Sequence, residues 1–291
     1  MAIPSAALLV TLTALVADAT IQLGFITSMV SYLHGGAPSG IYVVNTPPSL
    51  IASIGASPTY LLNGKPLHVV INQGHTSNGA AGSCVVLMGI IGALVLFLRL
   101  HVPKNRVGRV LYYAWMSLQI PTLLLTLVAL AYTFSEVHAH RGQTIDQALA
   151  YKTQPGPYAA DSWTPQNWFA AVLQLDLADA ALRSNLAMHL RIMHGWQYNL
   201  IPLFLLQLLE TLAAFADFRV WRAARRGDRS SNSSSNTLHV LTADKKYYPG
   251  SAVDSPHSSV QNKFGNYHMQ SLHIADPNLH QHSQRRHFGQ V

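Results

Sequence analysis

The chain has 291 residues, of which 49% are hydrophobic and only 11% are charged. Soluble globular proteins carry about 25% charged residues, so this composition excludes an ordinary soluble domain and indicates an integral membrane protein. The net charge of +7 does not indicate nucleic-acid binding, because the basic residues cluster beside apolar segments, where such clusters set membrane orientation or contact lipid headgroups. With a single cysteine, Cys84, no intramolecular disulfide can form.

Four apolar segments are long enough to cross a bilayer core of about 30 Å, which requires roughly 20 residues. They lie at about residues 8–33, 82–100, 110–134 and 198–218. The predicted fold class is an all-α integral membrane protein with four transmembrane helices. We expect a transmembrane domain over residues 1–226, with a small outer cap made from the loops 34–81 and 135–197, and a disordered tail over residues 227–291.

The first apolar segment has two interpretations. It could end a secretory signal peptide, with Ala17 and Ala19 before a cleavage site, or it could be a retained span that carries Asp18. A signal peptide has a basic start and an apolar run that stops at the cleavage site. Here the start, MAIPSAALLV, has no charged side chain, and the apolar run continues through IQLGFITSMVSYL. We therefore expect residues 1–19 to be retained.

The distribution of Lys and Arg predicts the orientation of the spans. Four basic residues lie in the connector RLHVPKNRVGR, and five more follow the fourth span between Arg219 and Arg229, whereas the loop 34–81 contains only Lys65. Basic residues concentrate in cytosolic loops. The N- and C-termini are therefore expected in the cytosol and both long loops outside, in a plasma membrane or an endomembrane.

Polar side chains interrupt the apolar segments at similar depths. Counted from the predicted cytosolic ends, Asp18, Gln119 and Glu210 lie about 15, 14 and 13 Å along their helices, with Gln22 and Gln207 one turn further out. These five residues predict an intramembrane polar layer. Since no Lys or Arg lies at this depth, we expect one or both acids to be protonated, or the two to share a proton, with amides as partners. The layer could respond to protons or cations, or simply join the helices by hydrogen bonds, which is the favoured interpretation.

The loop 34–81 contains a predicted β-hairpin. Its strands are TYLL and KPLHVVI, joined by a turn at Asn63-Gly64, and Pro66 confines the second strand to a sheet edge.

The loop 135–197 contains a predicted amphipathic helix over residues 164–194. Thr164 is a typical N-cap with Pro165 at the first helical position, and Gly195 is placed to end the helix. Apolar residues recur at helical spacing and form one stripe: Trp168, Val172, Leu175, Leu182, Leu186, Leu190 and Met193. We expect this stripe to pack on the loop 34–81, although a membrane surface or a protein partner could also cover it.

Histidines suggest a metal site only weakly. His189 and His194 are five residues apart, not the four that place two ligands on one helix face, and His138 and His140 lie elsewhere in the loop. The sequence contains no HExxH, nucleophile elbow, phosphate loop or paired CxxC. We therefore expect no metal and no cofactor. The missing motifs do not exclude an enzyme, but they offer no catalytic mechanism, so a non-enzymatic role is favoured.

A group of arginines beside the fourth span is expected to contact anionic lipid at the cytosolic face, at about 1 kcal/mol per residue. Its members are Arg219, Arg222, Arg225, Arg226 and Arg229. The favoured function is a membrane organiser or receptor-like protein with an outer cap and a signalling or anchoring tail. The alternative is a proton- or cation-linked transporter or sensor that uses Asp18 and Glu210.

Overall fold

The computed structural model describes residues 4–36, 40–102 and 106–244, with side chains described up to residue 226. The chain divides into two compact units, 1–237 and 238–291. Of the second unit only the backbone up to residue 244 is described, and it is helical. Most of the predicted tail, residues 245–291, lies outside the described residues, so its disorder stays a prediction.

Helix α1 (Ala6–Ser31) is preceded by the N-cap residue Ser5, whose side chain accepts a hydrogen bond from the Leu8 N–H. A π-helical turn at Tyr32–Gly36 follows. The buried residues of α1 recur in steps of four and three: Leu8, Leu12, Leu15, Ala19, Gln22, Ile26 and Met29. This spacing is typical of helices that pack nearly antiparallel or parallel along their length, with side chains interlocked.

The segment after α1 forms a two-stranded antiparallel sheet with a short helix between its strands. Strand β1 (Ile41–Asn45) pairs with strand β2 (Thr59–Asn63), and helix α2 (Pro48–Ile54) connects them. Tyr42 and Val44 of β1 and Tyr60 and Leu62 of β2 are buried on one face of the sheet.

The predicted hairpin is therefore only half right. TYLL is a strand, but its partner is β1 and not KPLHVVI. The turn at Asn63-Gly64 does not form because the Gly64 N–H donates to Gly40, which extends the pairing toward the first strand. The segment 65–71 instead runs along residues 158–163, where the Leu67 N–H donates to the Tyr158 carbonyl and the Val70 N–H to that of Trp163.

The second long helix runs from Asn72 to His101 and has three parts. Helix α3 (Asn72–Ser83) leads into a π-helical stretch, Cys84–Ile91, and then into α4 (Gly92–His101). Gln73 in the first part, Cys84 at the start of the π-helical stretch and Arg99 in the last part are all buried. This helix begins ten residues before the predicted span of 82–100, because its first three turns pack against α5 (Arg106–Ala139).

Helices α6 (Gln147–Thr153) and α7 (Pro165–Val172) follow, and α8 (Ala180–Asp244) is the last. Thr164 caps α7 as predicted, because its hydroxyl accepts from the Asn167 N–H. The single predicted helix over 164–194 is wrong, however. Residues 173–179 leave the helix and lie against β1, where the Asn45 N–H donates to the Asp176 carbonyl.

Gly195 does not end a helix, so this prediction is also wrong. It lies inside α8, which continues without a break into the fourth apolar segment. The absence of a side chain has a packing reason instead: a Cβ atom at Gly195 would lie 3.3 Å from the Phe25 ring of α1.

Four of the described helices are long and apolar enough to cross a membrane, which confirms the predicted number of candidate spans. Their bounds are Ala6–Gly35, Asn72–His101, Arg106–Ala139 and Ala180–Arg226. They share one hydrophobic core, which includes Leu8, Leu15, Cys84, Trp115 and Leu203.

A second core holds together the residues between the long helices. We call residues 40–71 and 140–179 the cap. Its core joins the sheet to the aromatic side chains of Tyr158, Trp163, Trp168 and Phe169, and to Met29, Leu186 and Met193 of the long helices. The predicted packing of the apolar stripe onto the first loop is therefore confirmed.

Candidate functional site

Glu210 lies at the centre of a hydrogen-bonded network between three helices. Its Oε1 accepts from Gln119 Nε2 on α5 at 3.0 Å, and its Oε2 accepts from Gln207 Nε2 at 3.4 Å. The Thr211 hydroxyl donates to Gln119 Oε1 at 3.3 Å, and the Cys84 thiol donates to Gln207 Oε1 at 3.3 Å. The structure thus brings together three of the five predicted polar residues: Gln119, Gln207 and Glu210.

The Glu210 network contains neutral partners only. Glu210 is fully buried, and none of the ion pairs among the described residues includes it. A buried carboxylate without a counter-charge is costly, whereas a protonated carboxyl group can donate to an amide or hydroxyl oxygen. Since amides and hydroxyls can both donate and accept, the network can accommodate the gain or loss of one proton.

Asp18 and Gln22 lie away from this network, on the part of α1 that faces the start of the fourth span. Gln22 Nε2 donates to the Trp196 carbonyl at 3.1 Å, and the Asp18 carboxyl lies beside the Asn199 amide. About 16 Å of helix separates Asn199 from Glu210 at 1.5 Å per residue, so the two acids occupy different levels of the bundle. Within the described residues, Asp18 Oδ2, Gln22 Oε1 and Asn199 Nδ2 are buried without a hydrogen-bond partner.

A buried ion pair at the opposite end of the bundle was missed by the sequence analysis. Arg99 of α4 pairs with Asp217 of α8, and the two side chains are 5% and 3% exposed. Asp217 also accepts from the Tyr112 hydroxyl at 2.8 Å and from the Ser5 N–H at 3.0 Å. We call Arg99, Asp217, Tyr112 and Ser5 the clasp. Three of them come from different long helices, and Ser5 is the N-cap residue of the remaining one, α1.

The sequence did contain a signal for the clasp. Asp217 is seven residues after Glu210 and therefore lies on the same face of α8. Arg99 was counted among the basic residues of the connector, but its side chain is buried rather than solvated. Charge counting alone cannot distinguish an arginine that anchors at the headgroups from one that turns inward to a carboxylate.

The predicted arginine group follows the clasp along α8. The Arg222 guanidinium lies 5.7 Å from the centroid of the Phe218 ring, and that of Arg225 lies 4.9 Å from the Trp221 ring. Arg219 and Arg226 are exposed, whereas the side chain of Arg229 lies outside the described residues. This arrangement combines aromatic side chains with exposed cations, as at a membrane interface.

A cleft of about 430 Å³ lies where the cap meets the bundle. Its walls come from α1, from the start of α3, from Pro165 of α7 and from α8. Apolar side chains make up most of the lining: Ile26, Met29, Val30, Leu33, Val70, Ile71 and Met193. None of the described lining residues is Asp, Glu, Lys or Arg, and the polar side chains in the lining are Thr27, His34, Gln73, His75 and Asn78. This combination suits a mostly apolar ligand with a small polar group.

His140 of the cap and His189 of α8 have individual partners rather than a common centre. The His189 ring stacks on Tyr32 with centroids 3.5 Å apart, and His140 Nε2 lies 3.0 Å from the Ser162 hydroxyl. Among the described residues, no group of three or more His, Cys, Asp or Glu side chains is arranged to hold a metal ion.

No family model, curated protein or solved structure matches this chain. The contacts described above therefore provide the whole basis for a functional proposal.

Proposed function

We propose that the protein is a non-enzymatic, receptor-like multi-pass membrane protein that binds a small, mostly apolar ligand between its cap and its helix bundle. The observation that carries this proposal is the 430 Å³ cleft at their junction. Its volume lies within the range of about 300–1,000 Å³ that is typical of small-molecule sites. A ligand there would contact three long helices and the cap at once.

The orientation of the chain is part of the proposal. In the proposed orientation, the N-terminus and the basic residues after Asp217 lie on the cytosolic side, and the cap lies outside. Two observations support it. The Ser5–Asp217 hydrogen bond places the start of α1 beside the end of the fourth span, and the connector and the segment after Asp217 carry most of the basic residues of the described chain.

The arginine group and the tail complete the proposed receptor. Exposed arginines after Asp217 attract anionic lipid at about 1 kcal/mol per residue near the surface. The tail, residues 227–291, would then signal or anchor on the cytosolic side.

A protein partner at residues 164–194 is a further part of the proposal. The apolar stripe itself packs inside the cap, so a partner would have to contact exposed residues such as Arg191 and Met188, which is 44% exposed. Site-specific photo-crosslinking from Met188 tests this. A specific partner recovered from Met188, and not from the buried Leu186, would support it.

The cleft is tested by filling it. Gly74 lines the cleft, and a Cβ atom built on it meets nothing within 4 Å, so Gly74→Leu projects into open space. Gly79 on the same helix is equally unobstructed but does not line the cleft, so Gly79→Leu is the matched control.

The experiment uses the full chain in lipid nanodiscs and a long-chain hydrocarbon probe that carries a photoreactive diazirine. We expect saturable labelling of the peptides that contain residues 26–34 and 70–78, reduced by Gly74→Leu and unchanged by Gly79→Leu. Equal labelling of the two variants would contradict a ligand site in the cleft.

A second candidate function, a proton-linked transporter or sensor, is favoured by one observation: Glu210 is fully buried and contacts only neutral groups. Purified protein in liposomes under an imposed membrane potential would then move protons, and both Glu210→Gln and Asp18→Asn would abolish the movement. Glu136→Gln is the control, because Glu136 lies at the end of α5 and its side chain is 26% exposed. Wild-type liposomes that leak no faster than empty ones would contradict this function.

Retention of residues 1–19 underlies both candidates. Their removal would take Leu8, Leu12 and Leu15 out of the bundle core and Asp18 out of the protein. The intact mass of the purified chain measures this directly, and a chain that begins at Thr20 would contradict both the four-span topology and the proton function.

A further inference from the structure

Four aromatic rings pack together at the end of the bundle that holds the clasp. The Tyr113 ring of α5 has its centroid 5.6 Å from that of Phe218 and 5.6 Å from that of Trp221, both on α8. The Tyr112 ring contacts the same two rings, with centroids 5.9 and 4.9 Å away. We call Tyr112, Tyr113, Phe218 and Trp221 the aromatic platform. It joins α5 to α8 where the predicted arginine group begins.

Two arginines of α8 lie over the aromatic platform. The Arg222 guanidinium is 5.7 Å from the Phe218 centroid, and the Arg225 guanidinium is 4.9 Å from the Trp221 centroid. A guanidinium that stacks on a ring contacts it with its flat face and directs its N–H donors sideways, where they can meet a planar or tetrahedral anion. Arg222 is exposed, so a ligand can reach its donors.

A third arginine approaches the platform from α5. Arg109 precedes Tyr112 by three residues and Tyr113 by four, so it lies on the same face of α5 as these two rings. Helices α5 and α8 are antiparallel, because the clasp lies before the Glu210 network along α5 and after it along α8. The turn before the tyrosines, which carries Arg109, therefore lies level with the turn after Phe218, which carries Arg222.

The terminal nitrogens of Arg109 are accessible. The residue is partly buried, and of its side-chain nitrogens only Nε is buried without a hydrogen-bond partner. The two terminal nitrogens have no partner among the described residues either, so they reach the surface. None of the ion pairs in the described part of the chain includes Arg109 or Arg222. Two guanidinium groups on facing helices thus present donors that a ligand could use.

The positive charge around the platform has little compensation. In the sequence, no Asp or Glu occurs between residues 84 and 135 or between residues 218 and 227. Asp217 pairs with Arg99 and is buried, and the side chain of Asp228 lies outside the described residues. Complementary charge favours association, so the ligand that fits this position is an anion.

Exposed apolar side chains adjoin the arginines. Val110, which follows Arg109, is 66% exposed, and Val220, which precedes Arg222 by two residues, is 63% exposed. Both valines belong to candidate membrane spans. Side chains of this kind beside aromatic residues and cations are typical of a membrane interface, where they contact acyl chains. The anion that fits the site is therefore the head of a lipid rather than a soluble ion.

The number of guanidinium groups favours one class of anionic head. Arginine and phosphate form bidentate, charge-assisted hydrogen bonds. A phosphomonoester has three terminal acceptor oxygens and a charge of about −1.5 to −2 at pH 7. A phosphodiester has only two such oxygens and a single negative charge, and a carboxylate likewise. A phosphomonoester can therefore accept from guanidinium groups on both helices at once.

We propose that Arg109, Arg222 and Arg225 form a site for the phosphomonoester head of a membrane lipid, held between α5 and α8 beside the aromatic platform. This proposal rests on the proposed contact of the arginine group with anionic lipid, and it names the lipid class. It also adds a residue of another helix, Arg109, to that group.

The test separates a site of defined geometry from a general attraction to negative charge. The full chain in detergent is titrated with phosphatidic acid, phosphatidylserine or phosphatidylcholine, and native mass spectrometry counts the lipids that remain bound. We expect phosphatidic acid to reach half-saturation at a concentration about tenfold lower than phosphatidylserine, since one further charge-assisted hydrogen bond is worth roughly a factor of ten in affinity. An excess of inorganic phosphate should not displace the lipid.

Substitutions that keep the charge are the decisive variants. Arg222→Lys and Arg109→Lys replace the planar fork of donors by a single ammonium group, and each should remove most of the preference for phosphatidic acid. Arg226→Lys is the matched control, because Arg226 is exposed on the same helix and stacks on none of the described rings. The buried thiol of Cys84 should resist maleimide in each variant that has folded. If Arg109→Lys does not fold, Arg222→Lys decides alone.

A preference for phosphatidic acid that Arg222→Lys removes and Arg226→Lys retains would support the proposal. A preference that survives Arg222→Lys, a preference that Arg226→Lys removes equally, or displacement by inorganic phosphate would overturn it. Equal binding of the two anionic lipids would overturn it as well. If both still bind better than phosphatidylcholine, the proposed general contact with anionic lipid stands. If neither does, that part of the proposed function fails too.

Discussion

The clasp gives the sharpest prediction about stability. Asp217→Asn keeps the size of the side chain and one acceptor oxygen but removes the charge that faces Arg99. Because both side chains are at most 5% exposed, the buried arginine loses the negative charge of Asp217. Removal of one partner from a buried ion pair costs about 3–5 kcal/mol. We expect Asp217→Asn to lower the free energy of unfolding by about 3 kcal/mol, at the low end of this range, because the remaining amide oxygen can still accept from Tyr112 or Ser5.

The free energy of unfolding is measured by titration with SDS in mixed micelles, with maleimide reactivity of Cys84 as the signal that the bundle has opened. Asp161→Asn is the control, since Asp161 is exposed and has a positive φ of 59°, a conformation that Asn tolerates. The double variant Arg99→Met/Asp217→Leu should be more stable than Asp217→Asn, because it removes both charges of the pair. If Asp217→Asn lies within about 0.5 kcal/mol of Asp161→Asn, the clasp does not hold the bundle together.

Three further predictions concern packing and titration. Gly92→Ala places a Cβ atom 2.8 Å from Trp115 Nε1 and should lower the free energy of SDS unfolding by about 1–3 kcal/mol, whereas Gly82→Ala, which meets nothing within 4 Å, should be neutral. Trp168→Phe loses a hydrogen bond of 2.9 Å to a cap carbonyl and should make the cap more sensitive to limited proteolysis; an unchanged cleavage rate would contradict this. Burial raises the pKa of Tyr60 from 10.0 to about 12, so the cap should be equally stable up to pH 10 and lose stability between pH 10 and 12, a loss that Tyr60→Phe should reduce.

The number and order of the long helices could be predicted because an apolar run of about 20 residues has few alternatives to a membrane span. The face that each helix turns inward was harder to predict. Along α5 the buried residues include Gln119, Thr122, Thr126 and Thr133, while Leu124 and Val128 are exposed. The helix is apolar on all sides, so hydrophobicity does not mark the buried face, and only the rare polar residues do.

The same argument explains which site residues could be predicted. Glu210, Gln119 and Gln207 are polar residues deep inside apolar segments, and they do meet. A count of residues from the assumed helix ends predicts Asp18 at the same level, yet it lies beside Asn199. The start of α1 at Ala6, two residues before the assumed end, accounts for only about 3 Å of this difference. Depth from the sequence is therefore accurate only to a turn or two.

The cap was less predictable because its pairings are not local. The turn pair Asn63-Gly64 favours a hairpin with the residues that follow, but IYVVN, which precedes TYLL by fourteen residues, offers a strand with two buried side chains. The break at residues 173–179 depends likewise on contact with that strand. Neither local propensity nor periodicity contains this information.

The order in which the chain is synthesised gives the clasp a further consequence. Arg99 leaves the ribosome with the second helix, whereas Asp217 arrives only near the end of the fourth. Until then, the incomplete chain carries an arginine whose final environment excludes water and whose partner Asp217 has not yet been made. Closure of the bundle is thereby coupled to completion of the last helix. A chain truncated before Asp217 would lack the carboxylate that pairs with Arg99 and could not form the clasp.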